Sequence, residues 1–465
     1  MRKVKDLTEA FKVWLSIIMI ISITSCSYEQ NAQLEYGTGK TEWPMHHIDN
    51  ALYNHNSLSP GDVDKDGFTD YAVIHEGPDK YTIVFHPGKN GDVRKPWKKV
   101  TIGEGGNPEY SYLGDFDGDG DLDVVGCGGY SGKLPTGIKI FWGPESSKVF
   151  DGSNWIDGGY IPETKDRGHF LYIESRDINS DGVTDIVAGG RVHKINHNKA
   201  GLIWIEAPGN KRDRRNLSKW KLHDIDPNLL SGHGFVFVDI DQDGDDDIAV
   251  ANADWDTSDS EERVLWYENP GINSTKQKEP WPLHVIYDGH ECFPKPQVAV
   301  GDLDGDGLTD LCVQTDNHIF YFKKMGLKPV SWNRMVINKS EVARWVSRPT
   351  KMADINNDGK LDIVGMLIHN YGYMPLGKTS VFWMEYIGNE PGRDNWTTHV
   401  IKWSDGSFTA KGFQGEKWDH CRFEDVDRDG DLDIVGNCEE HYESVSGKQR
   451  KTLVGVVWFE NKIVP

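Results

Sequence analysis

The chain has 465 residues and a formal net charge of −22, from 73 acidic against 51 basic side chains. That balance argues against a nucleic-acid partner, whose phosphates select basic surfaces. Aromatics at 11%, including 17 Trp, supply ample apolar mass, while 50 Gly and 21 Pro divide it by many turns, enough for several small domains or one large repeat fold.

Residues 1–25 read as a signal peptide. Arg2, Lys3, Lys5 and Lys12 form a basic start, and the apolar run from Val13 to Ile23 is too short to span a bilayer comfortably. The run ends at Ile23-Thr24-Ser25-Cys26, which resembles the bacterial lipobox. That resemblance implies lipidation of Cys26, export, and anchoring of the mature chain to the bacterial membrane, at the cell surface or in the periplasm. An ordinary cleaved signal with an incidental cysteine is the alternative. Residues 26–42 are then the lipid anchor and a polar tether, and 43–465 the folded domain.

From Trp43 onward a repeat governs the chain. A nine-residue acidic loop occurs seven times, with Asp at position 1, Asp or Asn at 3, Asp at 5, Gly at 6 and Asp at 9. The side chains concerned are Asp62, Asp64, Asp66 and Asp70, then Asp115, Asp117, Asp119 and Asp123, then Asp177, Asn179, Asp181 and Asp185. They continue with Asp239, Asp241, Asp243 and Asp247, then Asp302, Asp304, Asp306 and Asp310. The last two sets are Asp354, Asn356, Asp358 and Asp362, and Asp425, Asp427, Asp429 and Asp433. A hard cation such as Ca2+ takes six to eight oxygens at roughly 2.3–2.6 Å, and side chains at these positions of a tight loop can converge on one point. Gly at position 6 permits the sharp reversal. The bidentate Glu and following helix of an EF-hand are missing; a short apolar run such as Tyr71-Ala72-Val73-Ile74 follows instead and reads as a strand. Up to seven structural Ca2+ ions are expected, and they account for much of the acidic balance.

Two further signals recur in phase. One is a strand with Trp at its start: Trp43, Trp97, Trp220, Trp281, Trp332 and Trp396, with Trp155 opening a poorer copy. His46, His223, His284 and His399 recur within it and read as structural. The other is an aromatic strand, as at Ile140-Phe141-Trp142 or Val457-Trp458-Phe459. Each period thus predicts four strands: one before the acidic loop, one after it, the aromatic strand and the Trp-start strand. That is a propeller blade. The chain opens on a Trp-start strand and closes on an aromatic one, so Trp43–Ile48 is the spare fourth strand for the last blade, and the ring closes by pairing the two ends.

The loops, their number and their flanking strands resemble the FG-GAP/VCBS repeat family, known also from the integrin alpha-subunit head. The resemblance covers about residues 43–461 and implies an all-β, seven-bladed propeller with Ca2+ in the loop joining the first two strands of each blade. It implies no single function, since the fold hosts adhesion modules, lectin-like proteins and enzymes.

Chemistry is expected on the face opposite the acidic loops, in two variable loop sets. The set preceding each first strand holds His55, Glu109, Tyr110, Arg167, His169, His233, His290, Arg344, Arg348, Trp418 and His420. The set following each second strand holds His75, Arg191, His193, His197, Trp255, His369, Tyr371 and His441. Removing a proton alpha to a carboxylate needs a base, a cation for the enolate-like charge and an acid for the leaving group, and His, Arg and Tyr supply all three. The arrangement also resembles the propeller part of aldos-2-ulose dehydratase and the dehydratases and lyases of marine polysaccharide-degradation systems such as those for ulvan.

The expected site gathers His169, Arg191, His193 and His233, with Tyr371 or His420 across the funnel as proton donor. Arg348 and the exposed faces of Trp255, Trp345 and Trp418 are expected to bind an anionic oligosaccharide or polysaccharide. The leading reading is a β-elimination, by a dehydratase or lyase, on uronic-acid-containing oligosaccharides. A non-catalytic carbohydrate-binding or adhesion propeller, monomeric in either case, is the alternative. Zn2+ held by His193, His197 and a further His is a subsidiary possibility. Cys421 and Cys438 flank the last acidic loop almost symmetrically, so a disulfide across a hairpin and two buried thiols both remain open.

Overall fold

A computed structural model describes residues 40–463, apart from 53, 130–134, 192–199, 254–261, 272–277, 290–296, 316, 345–349, 368–377, 389–390, 393, 405–415 and 440–453. The first strand is β1 (Met45–Asp49). Six sheets of four consecutive strands follow. The first holds β2 (Ser59–Gly61), β3 (Asp70–His75), β4 (Lys80–Phe85) and β5 (Lys98–Glu104). The second holds β6 (Pro108–Gly114), β7 (Asp123–Gly128), β8 (Gly137–Trp142) and β9 (Ile156–Tyr160). The third holds β10 (His169–Arg176), β11 (Asp185–Arg191), β12 (Leu202–Glu206) and β13 (Lys221–Asp226). The fourth holds β14 (Val236–Val238), β15 (Asp247–Asn252), β16 (Arg263–Tyr267) and β17 (Leu283–Asp288). The fifth holds β18 (Val298–Gly301), β19 (Asp310–Gln314), β20 (His318–Leu327) and β21 (Val330–Asn338). The sixth holds β22 (Thr350–Ala353), β23 (Asp362–Met366), β24 (Thr379–Tyr386) and β25 (Trp396–Trp403). The seventh holds β26 (Trp418–Glu424), β27 (Asp433–Cys438) and β28 (Val456–Phe459), with β1 as its outer strand in antiparallel register Met45↔Phe459 and His46↔Trp458.

Every acidic loop is the turn between the first and second strands of its sheet. The register is the same each time: the last residue of the first strand faces the Asp at loop position 9, as in Gly61↔Asp70, Arg176↔Asp185 and Glu424↔Asp433. Second strands such as β3 and β7 are buried along their whole length, because neighbouring sheets cover both faces. Outer strands alternate; in β5 only Val100 and Ile102 are buried.

Neighbouring sheets pack in sequence, and the seventh packs on the first: Tyr71 donates to Glu424 at 2.6 Å, and Asn437 Nδ2 donates to the His55 carbonyl at 3.0 Å. The result is a seven-bladed ring. Its centre is filled from several sheets, since Arg422 of β26 donates to the Tyr110 hydroxyl of β6 at 3.0 Å and the Tyr110 ring lies 4.6 Å from both Tyr172 and His420.

The recurrent histidines are structural. His223 stacks on Trp204 at 4.5 Å and bonds Glu206 at 2.9 Å; His284 does the same with Trp266 (4.2 Å) and Glu268 (2.7 Å), and His399 with Trp383 (4.3 Å) and Glu385 (2.7 Å). Cys421 and Cys438 form no disulfide: the strand register sets Cys421 against Gly436 and Cys438 against Trp418, and both are buried free thiols. Among the described residues no helix is long and apolar enough to cross a membrane.

Candidate functional site

Each acidic loop is tied down by its own amides. In the first, Asp62 accepts from the amides of Asp66 and Gly67 at 3.0 Å each, and Asp66 accepts from Phe68 at 2.9 Å. The Asp at position 9 clamps the hairpin to the third strand. Asp70 accepts from Val63 at 3.0 Å and from His86 at 2.8 Å, Asp123 from Phe116 at 3.0 Å and Gly143 at 2.7 Å, and Asp433 from Val426 at 2.9 Å and Asn461 at 2.8 Å. Burial pushes these carboxyls up, to about 8 for Asp70, Asp123, Asp185, Asp247 and Asp433.

The donor set fits a hard cation. Oxygens of Asp62, Asp64 and Asp66, of Asp115, Asp117 and Asp123, of Asp239, Asp241 and Asp243, and of Asp302, Asp304 and Asp306 each converge within 4.8 Å of one another. At position 3 one buried oxygen of Asp241, Asp304 and Asp427 has no hydrogen-bond partner, which leaves lone pairs for a metal. Protein cations reach into some loops: Lys323 contacts Asp304 and lies 2.8 Å from Asp306, and Arg215 contacts Asp117 and lies 3.3 Å from Asp119.

At the opposite end of the inner strands, His169 opens β10 and faces Arg191, the last residue of β11, directly across the strand pair. Arg191 in turn bridges Ser231, two residues before His233. The close approach is made possible by two glycines, since a Cβ on Gly232 would stand 2.4 Å from the Gly189 Cα. His169 Nε2 donates to Glu109 Oε1 at 3.0 Å, and Asn56 donates to the other Glu109 oxygen at 3.2 Å. Burial pushes the Glu109 carboxyl up, but His169 and Lys417 outweigh it and hold it below the usual range. Glu76 goes the other way: burial, with the Glu109 and Glu439 charges beside it, holds its carboxyl well above the usual range. Lys417 pairs with Glu439 and lies 3.3 Å from Asp419. Next to Glu109, the Tyr110 ring carries His420 on to Tyr172, 5.8 Å from His420.

The structure sets His169 opposite Arg191, bridges Arg191 to Ser231 two residues before His233, and packs the His420 ring 4.6 Å from that of Tyr110. His193, Tyr371, Arg348 and Trp255 lie outside the described residues, as do Trp345, His197 with the zinc alternative built on it, and Cys26. Trp418 corrects an expectation: it is fully buried, its indole donating to Ser380 at 2.8 Å, because it opens β26 on the core side instead of projecting from the loop. It offers no face to a sugar. Sequence reasoning missed Glu76, Asn56, Lys417 and Glu439. Their one signal was adjacency to a strand end, which many surface residues share.

A family model described as FG-GAP-like repeat matches residues 62–126, 239–313 and 302–365, each match starting on the first Asp of an acidic loop. The chain is a seven-bladed β-propeller built on FG-GAP-like repeats. No curated protein matches it. Among solved structures it is similar to an Agrocybe aegerita lectin described for specific recognition of non-reducing terminal N-acetylglucosamine, with 14% identity over 77% of this chain and 82% of that one at a TM-score of 0.45. It is similar to AofleA from Arthrobotrys oligospora, with 13% identity over 79% and 91% of the two chains and a TM-score of 0.37. It is also similar to BBS1N, solved in complex with ARL6DN, with 8% identity over 90% and 96% and a TM-score of 0.46.

Proposed function

We propose that this propeller is a carbohydrate-active protein that catalyses β-elimination on a uronic-acid-containing oligosaccharide at the face of the ring opposite its acidic loops. One observation carries the reading: a histidine oriented by a carboxylate, His169 on Glu109 at 3.0 Å, sits directly across a strand pair from Arg191. His169 takes the proton alpha to the substrate carboxylate, and Glu109 holds the ring and stabilises the imidazolium. Arg191 pairs with the carboxylate through its planar fork and stabilises the enolate-like charge. The C–H electrons form the C=C bond as the C–O bond to the leaving group breaks. The leaving oxygen takes a proton from His420, from Tyr371, or from Glu76, whose carboxyl burial and the Glu109 and Glu439 charges hold well above the usual range. His233, two residues beyond the Ser231 that Arg191 bridges, and His193, which lies outside the described residues, are assigned to the same site.

The acidic loops hold Ca2+ in this reading and act structurally, since they lie at the other end of the inner strands. Export and lipidation at Cys26 would bring the site to polysaccharide outside the cytoplasm. A second reading, binding without chemistry, is favoured by limited access: Glu109, His169, Arg191, His233 and His420 are each less than a tenth exposed. Incubation with a panel of uronate oligosaccharides, following the ultraviolet absorbance of an unsaturated uronate, separates the two. Binding of a panel member with no rise in absorbance and no unsaturated product by mass spectrometry would leave only the binding reading.

A further inference from the structure

Asp49, His55 and His75 form a buried cluster that the elimination site does not use. Asp49 ends β1, the outer strand of the seventh sheet, whereas His75 ends β3 in the first sheet and His55 lies in the connection between β1 and β2. Both histidines are fully buried and Asp49 is 5% exposed. One ligand atom from each lies within 4.8 Å of the other two. Asp49 Oδ2 stands 3.4 Å from His55 Nε2 and 3.8 Å from His75 Nε2. Two ligands bound to one tetrahedral zinc at about 2.0–2.1 Å are about 3.3 Å apart, near the 3.4 Å between Asp49 and His55; on His75 the nitrogen left for an ion is Nδ1, since Nε2 bonds Thr82.

The cluster is unsatisfied as it stands. His55 Nε2 has only the 3.4 Å approach of Asp49 Oδ2, and neither His55 Nδ1 nor His75 Nδ1 has a hydrogen-bond partner. The Thr82 hydroxyl donates to the Val73 carbonyl at 3.1 Å, so at 3.0 Å it accepts from His75 Nε2 and offers nothing to Nδ1. Buried ring nitrogens in native folds are ordinarily paired. Lys99 donates to both Asp49 oxygens at 3.0 Å and the Ala51 amide donates to Oδ1 at 3.0 Å, which leaves Oδ2 a second lone pair. The scaffold is fixed before any ion arrives: the Asn56 amide donates to the Ile74 carbonyl at 3.1 Å, and the Glu76 amide to the Asn54 carbonyl at 3.0 Å.

We infer that Asp49, His55 and His75 form a nitrogen-rich site for a late first-row divalent cation, with Zn2+ the best fit, clasping the N-terminal strand to the first blade. Two imidazoles and one carboxylate select such an ion over Ca2+, and the site lies at the opposite end of β2 from the oxygen-only loop that begins at Asp62.

The test uses the untagged full chain in saturating Ca2+, so that the acidic loops are occupied. Zn2+ is added, excess is removed by gel filtration, and retained zinc is counted by elemental analysis. One ion per chain is expected, with an X-ray absorption spectrum of two imidazoles plus oxygen and, after Co2+ exchange, the visible bands of a tetrahedral nitrogen site. H55Q and H75Q should each lose the retained zinc while keeping the Ca2+-dependent rise in melting temperature. Should either variant fail to fold, the absorption spectrum of the parent decides alone. Absence of retained zinc in the parent, an oxygen-only spectrum, or unchanged zinc in both folded variants overturns the proposal.

Discussion

His46 and Glu460 are 414 positions apart in the chain, and the imidazole Nε2 of the first donates to Oε2 of the second at 2.7 Å. The same carboxylate accepts from Arg94 of the first sheet at 2.7 Å, so the two ends of the fold and the first blade meet on one side chain.

Glu460 therefore predicts an acid-sensitive seam. Arg94, with Lys462 and His46, holds its carboxyl down at about 2 against an ordinary 4.5. A depressed carboxyl contributes stability that is fully present above its unfolded pKa and disappears as pH falls through the folded one, here between about 4.5 and about 2. E460Q should cost about 1–3 kcal/mol in urea denaturation near neutral pH, and the difference from the parent should shrink toward about pH 3. An equal difference at both pH values would sever this residue from the seam.

Removal of β1 should act on the whole ring. A chain starting at residue 51 loses the outer strand of the seventh sheet and leaves β28 with an unpaired edge, whereas one starting at residue 40 keeps it. The first should melt well below the second. Identical melting curves would mean that pairing at the seam contributes nothing.

Chelation should lower the unfolding temperature, because an ion bound only by the folded state stabilises it. The loop at Asp302 should bind more weakly than loops without a protein cation inside, since Lys323 contacts Asp304 and lies 2.8 Å from Asp306. K323M removes a positive charge from that loop and should tighten Ca2+ binding at one site in calorimetric titration. Weaker binding in K323M, or a melt indifferent to chelator with no calcium by elemental analysis, rules this account out.

In the elimination reading, H169A should lower kcat/KM by about 10²- to 10⁴-fold with little change in melting temperature. E109Q should lower kcat less and shift the pH profile, because it acts through the ring it orients. R191K should chiefly raise KM, since an ammonium cannot make the paired contact of a guanidinium. Full activity in H169A would move the base elsewhere.

Trp418 should matter to stability and not to ligand contact. W418A should cost about 3–5 kcal/mol, as for other large buried aromatics. W418F should fold and bind saccharide like the parent. A specific loss of saccharide affinity in W418F at unchanged stability would restore the residue to the binding surface.

Much of the fold was legible because its signals are local and repeated. The acidic loop names its own residues by spacing, and each copy lands on the same hairpin, from Asp62 to Asp433. The histidines at 223, 284 and 399 read as structural because they recur in phase, and each meets the Trp and Glu of its own sheet. Trp418 was misread because nothing local separates a Trp at the end of a loop from one at the start of a strand. Cys421 and Cys438 looked opposed by counting, but the register that pairs Glu424 with Asp433 sets Cys421 against Gly436, two residues short of Cys438.

What the sequence determined by itself was the repeat: the number of blades, the order of strands within each, and the turn that carries the carboxylates. These follow from residues a few positions apart, whose spacing is fixed by strand and turn geometry. Tertiary structure alone decided which side chains share a point in space. Glu109 reaches His169 from the neighbouring blade, Arg191 faces His169 across a strand pair, and Asp49 meets His55 and His75 across the seam. Such meetings depend on how blades pack around the ring, and that packing is set by burial of whole sheet faces, which no local pattern records.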